Sequence, residues 1–203
     1  MNLGTWILSA AGMTGGLALL GNLRTDRTRP RATVAGIASA LAGTMLSTYT
    51  GVLIGNTAVP VWHATRHRLP PWFAASSAAG LGALLELAAP VAGAEARVVR
   101  AYAAVAQAAE LAAACGVEHA AERAGVASPL HAGRAARLWR ASRWLGAASL
   151  VATLWPWGGR TRAAIAGALG TAAAVLSRFA IIDAGRHSAA DPRATFAWQR
   201  AGG

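Results

Sequence analysis

From Met1 to Leu23 the chain carries no charged side chain, and none occurs between Ala32 and Trp62. Uncharged runs of this length constrain a fold more than any motif, because a bilayer core is crossed by about 20 consecutive apolar residues in a helix. Further apolar runs follow at 71–91, 98–117, 142–158 and 163–183. The pattern predicts an all-α, polytopic transmembrane helix bundle of about six helices forming a single domain. Its spans are expected at 3–23, 34–61 and the four runs just given, with an extramembrane loop at 118–141 and a C-terminal tail at 184–203. Only 13% of the 203 residues are charged and 55% are hydrophobic, against roughly 25% charged in soluble domains, which excludes an ordinary globular chain. The run at 98–117 is Ala-rich and contains Gln107 and Glu110, so hydropathy ranks it lowest and a surface amphipathic helix is its alternative.

The net charge is +11, and every basic residue apart from histidine is arginine. The arginines sit in the gaps between apolar runs rather than in one patch interleaved with aromatics, which argues for lipid headgroups and against nucleic acid. They divide almost evenly between alternate sides, so orientation stays open. No Lys or Arg precedes Trp6, which is unlike a cleaved signal peptide. Six of the eight tryptophans, all but Trp6 and Trp198, fall near predicted span ends, as an aromatic belt requires. The pairs Gly12/Gly16 and Gly51/Gly55 have the spacing that lets helices approach closely. Cys115, alone in the chain, rules out an intramolecular disulfide and reads as a small packing residue.

An ionisable group at membrane depth costs at least about 2.5 kcal/mol on insertion scales unless a partner or water satisfies it. Four residues meet that condition: Glu86, Glu110, Arg178 and, nearer a span end, Asp183. Beside them stands the polar run Ser47, Thr48, Tyr49 and Thr50, followed by Asn56 on the helical face of Tyr49. By helical rise from the first basic loop, Glu86 lies about 8 Å in, Glu110 about 15 to 18 Å and Tyr49 about 25 Å. The two carboxylates can be read as a proton relay toward a ligand near Tyr49, as neutral hydrogen-bonding groups between helices, or as partners of Arg178. Arg178 and Asp183 are the expected ion-pairing residues. The five histidines fall in loops or at interfaces, which leaves no mid-span axial ligand for a haem. His63 and His67 have the spacing of a metal face but no evident third ligand. The chain contains no phosphate-binding glycine loop, nucleophile elbow or CxxC framework.

Three stretches, MNLGTWILSAAG, STYTGVLIGNTAVPVWHATRHRLPPWFAASSAAG and RFAIIDAGRHSAADPRATFAWQR, together resemble the NrfD-type membrane subunits, the family that includes the polysulfide reductase membrane anchor. The resemblance implies a haem-free subunit of the bacterial cytoplasmic membrane that is not catalytic by itself. It implies a menaquinone or ubiquinone ligand, an iron–sulfur (ferredoxin-like) partner and, through it, a molybdopterin catalytic subunit, with electrons passing between the quinone pool and the partner's clusters. Tyr49, in the TYTG motif, is the implied quinone contact, with Asn56 beside it. The family places further helices ahead of the stretch resembling MNLGTW, so the chain reads as the C-terminal portion of such a subunit. The competing readings are a small proton-coupled transporter and a purely structural membrane anchor.

Overall fold

A computed structural model describes residues 3–23, 29–88 and 93–190. It consists of helices and short turns: α1 (Leu3–Leu23), α2 (Arg29–Gly55), α3 (Pro60–Ala64), α4 (Leu69–Ala88), α5 (Ala94–Arg123), α6 (Ser128–His131), α7 (Gly133–Leu154) and α8 (Gly159–Ala190). Ala and Leu dominate the helices, and proline falls at first turns or just past ends, where its missing N–H does least harm. Pro60 opens α3, Pro129 lies in the first turn of α6, and Pro156 follows α7. Gly125 closes α5 with a positive φ of 69°. Its N–H bonds the Glu122 carbonyl at 3.0 Å while the Val126 N–H bonds that of Ala121 at 3.0 Å, the paired bonds of a Schellman ending.

Helices α4, α5, α7 and α8 form a four-membered ring in which each packs on two others; α2 lies against α4, and α1 packs chiefly on α2. The ring follows a 3,4-alternating seam on every helix. Buried positions run 69, 72, 76, 79, 83, 86 on α4, 103, 107, 110, 114, 117, 121 on α5, 135, 139, 142, 146, 149, 153 on α7, and 166, 170, 173, 177, 180, 184 on α8. That average of 3.5 residues is the period of left-handed bundle packing. Most seam residues are Ala, Gly or Ser, so the helices approach closely. One end of the bundle holds the bulky core of Leu69, Trp72, Phe73, Val117, Trp139 and Ile181; the rest is small and polar.

The surface is inverted relative to a soluble protein. Trp6, Met13, Leu17, Leu41, Val105 and Trp144 are exposed while Glu86, Gln107, Glu110, Ser149 and Thr153 are buried. Apolar exposure on this scale is stable only against lipid. Four segments are long and apolar enough to cross a membrane, Gly4–Leu23, Arg31–Gly55, Ala94–Arg123 and Gly159–Ala190. The weakest candidate by hydropathy, 98–117, is thus one of these four, while α4 and α7 fall short as described.

Several expected boundaries move. The second run stops at Gly55 rather than 61, where Asn56 Nδ2 bonds the Val52 carbonyl at 2.9 Å and Thr57 Oγ1 that of Ile54 at 2.7 Å, turning the chain before Pro60. The segment 118–141 is mostly helix: α5 continues to Arg123 and α7 begins at Gly133. Charge there argued against a membrane interior but not against a helix, since Ala, Glu and Arg are good helix formers. Helix α8 runs on to Ala190, seven residues beyond the expected span. The remainder of the tail, 191–203, lies outside the described residues, as do 24–28 of the first basic loop and 89–92 at the end of the third run.

The small-residue pairs separate cleanly. A Cβ on Gly51 would meet the Pro70 backbone at 2.7 Å and one on Gly55 the Arg66 backbone at 2.9 Å, whereas Gly12 and Gly16 face open space. Gly51→Val should cost about 1–3 kcal/mol by prising α2 from α4, and Gly12→Val should stay within about 0.5 kcal/mol. Unfolding in detergent micelles, followed by circular dichroism, reads both. The aromatic-belt expectation fails for two tryptophans: Trp72 and Trp139 are each 1% exposed and pack together with ring centroids 5.4 Å apart. Trp62 lays its indole over Gly185 and donates Nε1–H to the Ile181 carbonyl at 2.9 Å. Cys115 is exposed rather than packed, and its Sγ accepts from Arg143 Nη2 at 3.1 Å.

Candidate functional site

The polar seam residues line up as a column along the axis of the ring. At one end Glu86, 6% exposed, accepts a hydrogen bond from Thr153 Oγ1 at 2.7 Å and pairs with Arg162 Nη1 at 3.3 Å. The same Arg162 nitrogen bonds the Thr153 carbonyl at 2.8 Å, and Arg100 caps the carbonyls of Thr153, Leu154 and Trp155 at 2.7 to 2.9 Å. Two arginines thus satisfy the last carbonyls of α7, which a helix leaves unpaired.

Deeper in, Ser149 Oγ donates to the Ala166 carbonyl at 2.8 Å. Gln107 lies against Gly146 and Gly170, where no side chain stands in its way. Gln107 Nε2 donates to Glu110 Oε2 at 3.1 Å, bridging one helical turn. Glu110, 7% exposed, lies within reach of the Arg178 charge and close to Ser76. A cavity of about 10 Å³ adjoins it, walled by Trp72, Trp139, Ser142, Arg143 and Ser177 among others; that is about the space of a single water. Beyond the cavity, Arg143 pairs with Glu118, which also accepts from the Trp139 indole. Ser76 and Glu86 are ten residues apart on α4, so the two column carboxylates stand about 15 Å apart along the axis. Ser149 and Gln107 lie between them, Ser149 bonded to the Ala166 carbonyl and Gln107 to Glu110.

The site residues expected from sequence are only partly gathered here. Glu86 and Glu110 are both in the column. Arg178 stands beside it: the guanidinium lies 4.4 Å over the Phe73 ring and 5.6 Å from that of Trp72, and Nη2 donates to Ser77 Oγ at 3.0 Å. Asp183 pairs with Arg134 at 3.3 Å near the bundle end, not with Arg178. Tyr49 packs its ring on Gly4 of α1, on the outer hairpin, and Asn56 is exposed and bonded to its own helix. Neither meets the carboxylates. Sequence alone gives no comparable signal for Arg162 at the start of α8, whereas Ser142, Ser149 and Thr153 lie seven and four residues apart on one face of α7, a spacing that marks them as a set. Among the described residues no three of His, Cys, Asp and Glu gather as a metal site.

A groove of about 690 Å³ runs along the outer face of α7 and α8 between Trp144 and the Trp155–Trp157 pair. Its one cation, Arg162, is already committed to Glu86 and α7 carbonyls, so the groove offers apolar contact to lipid more than chemistry. No protein-family model, curated protein or solved structure matches the chain.

Proposed function

We propose that the chain is a haem-free, multi-pass subunit of a bacterial cytoplasmic membrane, part of a respiratory oxidoreductase complex that exchanges electrons between the quinone pool and an iron–sulfur partner. The observation that supports this reading best is the column from Glu86 to Glu110: two carboxylates buried in a bundle whose outside is apolar, with hydroxyl and amide side chains between them. Reduction or oxidation of a quinone takes up or releases protons, and buried ionisable groups at membrane depth are the ordinary means of moving them. The resemblance to the NrfD-type subunits supplies the electron partner, the molybdopterin enzyme beyond it and the quinone. Six crossing helices follow if α4 and α7, about 30 and 33 Å long at 1.5 Å per residue, span alongside α5 and α8, on which they pack.

Purification from the native membrane should recover an iron–sulfur subunit with the chain. In the intact complex Glu110→Gln should lower quinol-dependent reduction of the partner by about 10²-fold while leaving assembly unchanged. Full turnover in Glu110→Gln would reduce the column to a packing device and leave the chain a structural anchor. Recovery without any cluster-bearing partner, together with proton uptake by the chain alone in vesicles, would favour the small transporter.

A further inference from the structure

Three buried side-chain atoms have no hydrogen-bond partner among the described residues: Ser76 Oγ, Thr171 Oγ1 and Arg178 Nη1. Buried polar groups are nearly always paired, and each orphan costs about 1–3 kcal/mol, so three together call for an explanation. They are not scattered. Ser76, Thr171 and Arg178 all line one groove of about 420 Å³ between α4 and α8, a volume within the usual range of small-molecule sites. The rest of its wall includes Gly80, Leu81, Leu84 and Val175. Leu81 and Val175 are about half exposed on the apolar outer face, so the groove opens sideways toward lipid.

We propose that this groove binds an uncharged, lipid-soluble carbonyl compound, with Arg178 and Thr171 donating to its oxygens. The unpaired guanidinium nitrogen can only donate, and the Thr171 hydroxyl can donate as well as accept, so acceptor oxygens satisfy both. Charge is not what is missing: the Arg178 cation already acts on Glu110, and a second anion beside that carboxylate would be repelled. Thr171 and Arg178 are seven residues apart on one face of α8, which places donors toward both ends of the groove. A flat apolar body with an acceptor oxygen at each end satisfies both, and a quinone is such a molecule. The site deepens the quinone-linked reading, on which it rests for the ligand's redox role. Ser76, 1% exposed, stands between groove and column with its hydroxyl set toward the Glu110 carboxylate, so the groove adjoins the column at that hydroxyl.

Equilibrium dialysis of the purified full chain in detergent against menadione tests the site. Saturable one-to-one binding is expected, weakened about three- to tenfold by Thr171→Val, the loss of one hydrogen bond. Val175→Trp, which fills the groove from its exposed side, should abolish binding with an unchanged far-ultraviolet spectrum. Equal binding of naphthalene, which has the same flat body and no oxygens, would overturn the assignment. So would tighter binding of decanoate, which would make it an anion site, or wild-type affinity in Thr171→Val. Menadione binding by a chain that recovers no iron–sulfur partner would uphold the site and remove the oxidoreductase reading.

Discussion

Arg162→Met should destabilise the protein by about 3–5 kcal/mol, the cost of leaving a buried charge without its partner. The Glu86 side chain is 3% exposed and that of Arg162 15%, so water can replace little of what is lost. Removing Arg162 leaves Glu86 with the Thr153 hydroxyl alone, and it also takes one donor from the Ala152 and Thr153 carbonyls, which the guanidinium serves at 3.4 and 2.8 Å and which keep the Trp155 N–H and Arg100, respectively. Glu86→Met on its own should cost less, because the arginine left behind keeps those carbonyls and can reach toward the membrane surface. The double variant, Glu86→Met with Arg162→Met, should recover most of the loss, since an apolar pair of similar volume often replaces a buried ion pair at little cost. Reversible unfolding in mixed micelles, arranged as a double-mutant cycle, measures the coupling. A cost below about 1 kcal/mol for Arg162→Met would mean that the pair is screened like a surface bridge, and Glu86 would then lose its place as a buried station of the column.

How much of this was legible beforehand depends on what each residue signals in isolation. Glu86 and Glu110 were visible because a carboxylate is conspicuous in an apolar run. Their partners were not. Ser142, Ser149 and Thr153 are unremarked residues in a chain full of small side chains, and only the 3,4 spacing, shared by four helices, sets them on one seam. That spacing is carried by Ala, Gly and Ser rather than Leu or Ile, so in an Ala-rich chain it yields almost no contrast in hydropathy. Arg162 falls in a gap between apolar runs, yet it sits in the first turn of α8, and its long stem lets it reach a carboxylate on another helix. Tyr49 shows the converse. Helical rise fixes its height and not its direction, and the ring is turned toward Gly4 on the outer hairpin. The same one-dimensional reasoning puts Trp72 and Trp139 at the interface, although height near a span end is compatible with facing either lipid or core. Gly12/Gly16 and Gly51/Gly55 have identical spacing, and only the position of the neighbouring helix distinguishes them.

Gly170→Val should be as damaging as the broken ion pair, at about 3 kcal/mol or more, toward the upper end of overpacking costs. A Cβ at this position would meet Ala83 Cβ at 2.7 Å, Ser149 Oγ at 2.8 Å and Gln107 Oε1 at 3.4 Å, so one branched side chain pushes on α4, α7 and α5 together. None of the three has a flexible tip to yield: the alanine is a stub on the backbone, and the serine and glutamine are held by their own hydrogen bonds. Ala172→Val, on the exposed face of the same helix, should change stability by no more than about 0.5 kcal/mol, and it controls for the helix propensity of valine. Gly170→Ala separates packing from passage. It is small enough for the bundle to survive in part, yet its methyl still enters the space beside Gln107 and Ser149. If the column carries protons, the alanine variant should lose quinol-dependent turnover out of proportion to its loss of stability. If turnover merely follows the folded fraction, the missing side chain at position 170 serves the closeness of the helices and nothing more.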